Sequence, residues 1–93
     1  MKSVDAAIEK DLLSFPCRFE IKVVGRQSVN FGARIYSVID RHLGNTRIMD
    51  ISSRCSRKGK YLSLTCVIKA VSREQLDSIY FDLNREPDVL MIL

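Results

Sequence analysis

An α+β fold, a four-stranded antiparallel sheet with two helices on one face, is predicted by three observations. Two segments, 18–24 and 61–70, alternate apolar and polar residues with the period of a half-buried strand. Two others, starting near Val29 and Arg73, carry apolar residues at helical spacing. The order in which these periods follow one another is β-α-β-β-α-β. The chain has 93 residues, 46% hydrophobic and 28% charged, which suits one globular domain and argues against long disorder, collagen or a coiled coil.

The elements follow in order. Val4, Ile8, Leu12 and Phe15 lie at helical spacing behind Ser3, a candidate cap, and predict a short N-terminal helix that Pro16 stops. We therefore expect a helical extension over 1–15 and the sheet domain over 16–93. In the first strand Phe19, Ile21 and Val23 face one side and Arg18, Glu20 and Lys22 the other, and Gly25 is expected to end it. Gln27, Ser28 and Asn30 supply turn and cap chemistry. A helix is predicted from Val29, with Phe31, Ile35, Val38 and His42 in one stripe, Ile39 and Leu43 beside it, and Gly44-Asn45 as its stop.

A weaker strand is predicted at about 46–55, with Ile48, Met49 and Ile51 among Ser and Arg. Arg57-Lys58-Gly59-Lys60 reads as a hairpin turn in which Gly supplies positive φ. Along 61–70, Leu62, Leu64, Cys66, Ile68 and Ala70 oppose Tyr61, Ser63, Thr65, Val67 and Lys69. Ser72-Arg73-Glu74-Gln75 is a capping box ahead of the stripe Leu76, Ile79, Tyr80 and Leu83. Pro87 breaks that helix, and Val89–Leu93 is a short strand apolar on both faces. Right-handed crossovers then give the ferredoxin-like arrangement, with the first and third strands central and the other two at the edges.

Net charge is +4, and its distribution matters more than its size. Residues 47–60 hold Arg47, Arg54, Arg57, Lys58 and Lys60 against Asp50, or 5 − 1 = +4; the rest of the chain balances ten basic against ten acidic side chains. Such a patch attracts an anionic partner or protects an edge strand. Arg47, Arg54, Arg57, Lys58, Gly59, Lys60 and Tyr61 are therefore a candidate interaction patch. Gly25, Arg26, Gln27 and Ser28, at a strand-to-helix turn, are a candidate ligand-binding loop, because backbone N–H groups at a helix start favour anions. The apolar last strand is a candidate edge for a homodimer, unless the N-terminal helix covers it.

Several chemistries lack their residues. Cys17, Cys55 and Cys66 are three and far apart, which speaks against a disulfide framework or a metal knuckle and for buried or half-buried reduced thiols. His42 is the lone histidine, and no nucleophile or carboxylate beside it is evident in the sequence, so a packing role outweighs catalysis or metal binding. An RNA-binding sheet stacks bases on two or three aromatics, and the polar face offers only Tyr61. No apolar run approaches a membrane span and no signal peptide is evident, so a soluble cytoplasmic protein without a cofactor is expected.

Several blocks together resemble the YbeD family of small bacterial proteins: Leu12-Leu13-x-Phe15-Pro16-x-x-Phe19, Lys22-Val23-x-Gly25, Arg41-His42, Lys58-Gly59-x-Tyr61-x-Ser63, Glu74-Gln75 and Val89-x-Met91-x-Leu93. The resemblance covers residues 12–93, with a slightly longer second strand and turn and additional arginines, Arg54 and Arg57. It implies an ACT-like ferredoxin fold in a family of unsettled function, whose members are sometimes called lipoate regulators. ACT domains bind small ligands near the first β-α loop, here Gly25–Ser28, although the Asp-Arg-Pro-Gly type of loop is missing. The function expected is thus a non-enzymatic regulatory or adaptor module binding a small ligand or a protein, with weak nucleic-acid binding by the 47–60 hairpin as the alternative.

Overall fold

The computed structural model describes residues 13–93. The N-terminal helix expected from Val4, Ile8, Leu12 and Phe15 lies outside the described residues up to Leu12, and residues 13–15, which are described, are not helical. Six elements follow: β1 (Cys17–Arg26), α1 (Phe31–Asp40), β2 (Asp50–Cys55), β3 (Tyr61–Ala70), α2 (Arg73–Arg85) and β4 (Val89–Ile92). The strands form one sheet in the order β2-β3-β1-β4, antiparallel at every pairing. This is the expected ferredoxin-like topology, with the cleanly alternating strands central and the Arg- and Ser-blunted β2 at an edge.

Alternation determines the core. Ile21 and Val23 of β1 and Leu62, Leu64, Cys66, Ile68 and Ala70 of β3 share one face and are all buried. Phe31, Ile35, Val38 and Ile39 of α1 and Leu76, Ile79, Tyr80 and Leu83 of α2 complete the cluster. Phe19, expected to be buried, is only half-buried: with Leu13, Phe15 and Cys17 it packs at the margin of the core. Val67, assigned to the polar face, is buried as well.

Gly25 does not end the first strand. It pairs with Leu62 on one side and Val89 on the other, and β1 runs on to Arg26. A Cβ at Gly25 would stand 2.3 Å from the Phe31 ring and 2.5 Å from the Asp88 carbonyl oxygen, so the glycine is required by close approach.

Helix α1 starts two residues later than its periodicity suggests. Asn30 adopts a left-handed φ of 63° and gives no side-chain cap, leaving Val29 exposed. Beyond Asp40 the chain tightens: the His42 N–H donates to Ile39 O and the Leu43 N–H to Asp40 O, and Gly44 at φ 61° turns it away. Strand β2 begins at Asp50 rather than near 46. The Met49 N–H already reaches Val67 O, but regular pairing starts one residue on, and Met49 is exposed. Gly59 sits at φ 74° in the hairpin turn, as expected.

Ser72 Oγ accepts the Gln75 N–H at 3.0 Å, the forward half of the capping box. The Gln75 side chain reaches past the cap residue to accept the Val71 N–H at 2.9 Å, while its amide donates to His42 O at 3.0 Å. That second bond ties the start of α2 to the end of α1.

Candidate functional site

Three candidate places stand out on the described surface, two of them beside a concavity. The first is the flank formed by β2 and the hairpin. Residues 49–61 are exposed without interruption, because the two helices cover β1, β3 and β4 but stop short of β2. Ile51, Ser53 and Cys55 lie opposite Cys66, Leu64 and Leu62 and so point to the helix side of the sheet, yet none is buried. Between them and α1 runs an apolar groove of about 430 Å³, lined by Gly32, Ala33, Tyr36, Ile51, Ser53 and Leu64. Cys55, expected to be buried or half-buried, is exposed for the same reason; Cys17 is half-buried and Cys66 buried, where burial pushes the thiol up to about 11.

The candidate patch residues Arg47, Arg54, Arg57, Lys58, Gly59, Lys60 and Tyr61 are all exposed on this flank. Register extends the basic surface. Arg18 lies opposite Lys69, Lys22 opposite Thr65, Arg26 opposite Tyr61 and Arg54 opposite Ser63, all on the sheet face turned from the helices. Glu20 and Asp50, both opposite Val67, are the acids of that face.

The second place is the β1–α1 turn, which holds Gly25, Arg26, Gln27 and Ser28. Gly25 and Arg26 belong to β1, and the Arg26 N–H donates to Asp88 O at 2.8 Å. The Ser28 hydroxyl donates to Asp88 Oδ2 at 2.9 Å, and Arg34 donates to the same oxygen at 3.1 Å and to Ser28 Oγ at 3.2 Å. Glu86 is 3.7 Å from Arg34. An internal carboxylate thus occupies the groups that an outside anion would meet, and the Ser28 bond, with Arg34 second, holds the Asp88 carboxyl below the usual range. Gln27 turns to the hairpin: its N–H donates to Lys60 O and its side chain to Cys55 Sγ at 3.6 Å.

The third place is a hollow of about 400 Å³ lined by His42, Asp77, Ser78, Phe81 and Asp82. His42 Nε2 is 2.7 Å from Asp82 Oδ2, and Arg41 donates to that same oxygen at 3.2 Å. Asp82 is the partner that the sequence pattern did not show. It lies 40 residues away on α2, and only the antiparallel packing of the helices brings it to His42. The His42 bond first, then Arg41, lowers the Asp82 carboxyl. The pair ties the turn after α1 to the second half of α2, with Arg41 neutralising the carboxylate. Among the described residues no group of three His, Cys, Asp or Glu side chains could hold a metal ion.

Both lowered carboxyls predict acid sensitivity. A carboxyl whose folded-state pKa is depressed adds stability above its unfolded value, near 4, and loses it as pH falls through the folded value. The urea midpoint is therefore expected to fall between pH 5 and pH 3, and to fall less in an Asp82→Asn, Asp88→Asn double variant. Equal slopes in the two proteins would remove these residues from the account.

Topology and packing define an ACT-like domain of ferredoxin-like fold. Among solved structures, the ACT domain from the GTP pyrophosphokinase of Chlorobium tepidum superposes with a TM-score of 0.69 at 17% identity, covering 82% of this chain and 94% of that one. The C-terminal domain of the MgtC protein from Mycobacterium tuberculosis does so with a TM-score of 0.65 at 14% identity, covering 87% and 88%. The chain belongs to the YbeD family: residues 10–93 match the family described as a protein of unknown function, DUF493. A UPF0250 protein of Nitrosomonas europaea is 40% identical over 85 residues, 91% of this chain and 98% of the relative. One from Chromobacterium violaceum is 36% identical over 85 residues, 91% and 96%. No described helix is long and apolar enough to cross a membrane.

Proposed function

We propose that this domain is a non-enzymatic adaptor or regulatory module that binds a protein partner through the flank of β2 and the β2–β3 hairpin. One observation carries the reading: the segment holding the chain's entire charge excess, 47–60, overlaps almost wholly with an uninterrupted run of exposed residues, 49–61, beside an apolar groove. Basic charge beside an uncovered apolar surface is the composition of a docking site more than of a solvated loop. Small-ligand capture at Gly25–Ser28 is the weaker reading, since an incoming anion would have to displace Asp88 from Ser28 and Arg34. The exposed Leu90, Met91 and Leu93 along β4 would serve self-association through the opposite edge.

A charge reversal tests the reading. Arg54→Glu with Arg57→Glu should shift the melting temperature by no more than about 4–8 °C, since exposed substitutions away from packed features change stability by less than about 0.5 kcal/mol each. Affinity enrichment from a bacterial lysate, treated with nuclease, should recover a protein on the parent domain that the variant does not retain. Identical recovery on both would overturn the reading. Recovery that vanishes with nuclease would favour the second reading, weak nucleic-acid binding, which the basic face of Arg18, Lys22, Arg26, Arg54 and Lys69 supports and which a steep salt dependence would mark.

A further inference from the structure

We propose that the partner is an extended acidic peptide segment that joins the sheet as a fifth strand along β2. The proposal rests on the reading of this flank as a docking surface and names what docks there.

Backbone geometry supplies the first argument. The Ser56 N–H donates to Tyr61 O at 2.9 Å, so residues 56 and 61 form a hydrogen-bonded pair. Such pairs alternate along an antiparallel ladder. Arg54 and Ser52 therefore bond inward to β3, while the N–H and C=O groups of Ile51, Ser53 and Cys55 point outward from the edge. Among the described residues no strand pairs with that side of β2. Three outward-facing residues present the repeat that an added strand needs.

Side chains supply the second. An added strand places alternate residues on opposite faces of the sheet. On the helix side its residues would enter the groove between Ile51 and Tyr36, which is large enough for aliphatic or aromatic side chains. On the other side they would meet Arg54, with Arg57, Lys58 and Lys60 in the turn beyond. A strand alternating apolar and acidic residues satisfies both. A second copy of this chain fits worse, since each copy brings a segment of charge +4 to the junction. A bare nucleic acid would use the charge but neither the outward N–H groups nor the groove.

The probe is a labelled peptide, acetyl-Glu-Val-Glu-Val-Asp-Val-Glu-Val-Asp-amide, titrated against the full 93-residue chain by fluorescence anisotropy. Saturable binding is expected, together with new hydrogen-exchange protection of the Ser53 amide. Arg54→Glu with Arg57→Glu should weaken it at least tenfold. So should Ser53→Pro, which removes one outward N–H at an edge position where proline is tolerated. A peptide N-methylated on alternate residues, in each of the two phases, should lose binding to the unaltered protein in the phase that faces β2; this arm does not depend on any variant folding. If both N-methylated peptides and Ser53→Pro bind normally while charge reversal abolishes binding, the strand is refuted and the basic docking flank survives. If a ten-nucleotide uridine RNA binds more tightly than the peptide, or no peptide binding occurs up to 1 mM (roughly the weakest useful affinity), the acidic-strand proposal is overturned.

Discussion

Gly25→Ala is expected to be among the most damaging single-methyl additions to this domain, lowering stability on the order of 3 kcal/mol. The added carbon would overlap the Phe31 ring at 2.3 Å and the Asp88 carbonyl oxygen at 2.5 Å. The ring is fully buried at the start of α1, and the carbonyl accepts the Arg26 N–H, so neither moves freely. Relief requires the α1 start and the α2–β4 turn to withdraw together, loosening the bonds among Ser28, Arg34 and Asp88. Chemical denaturation should show a lower midpoint with an unchanged slope. Gly32→Ala is the internal control, since its Cβ would meet nothing nearer than a Leu62 methyl at 3.8 Å. Equal destabilisation at the two positions would show that close approach does not set the cost at Gly25.

Leu64→Ala should cost about 2–5 kcal/mol, the range for emptying a buried leucine site. Leu64 lies in the middle of β3, 4% exposed, facing Val23 on one side and Ser53 on the other. For a domain of this length that loss lowers the melting temperature on the order of 10 °C or more. Leu64 also lines the groove beside β2, so the cavity has an open side and water can enter it; the cost then belongs toward the lower end. A loss under about 0.5 kcal/mol, typical of surface changes, would put Leu64 outside the core.

Most of the fold was legible because period and order are local properties of the chain. Ile21 and Val23 against Lys22, or the Leu62-to-Ala70 series, state which face is buried before any partner is known. What failed needed contacts across long stretches of sequence. Gly25 has the signature of a strand end; it remains inside β1 because Leu62 and Val89 pair with it, and Phe31 and Asp88 leave no room for a side chain there. Cys55 and Ile51 have apolar character but stay exposed, since helix coverage stops short of β2. His42 lacked a partner until α2 delivered Asp82. The candidate sites were legible as charge and turn chemistry only. That Ser28 is engaged by Asp88, 60 residues away, has no sequence signature.

The uneven cover of the sheet gives the molecule a gradient of local stability. β1 is paired on both sides and roofed by helices, whereas β2 is held by β3 alone and by no roof. Opening β2 exposes little buried apolar surface, so it costs a fraction of the free energy of global unfolding, while opening β1 amounts to unfolding the whole. The domain is in this sense two materials: a slab of three strands and two helices held on several sides, and a margin that opens at lower cost. A segment that settles on that margin would close the gap, and its binding energy would be read out as the stiffening of a strand that was loose before it arrived.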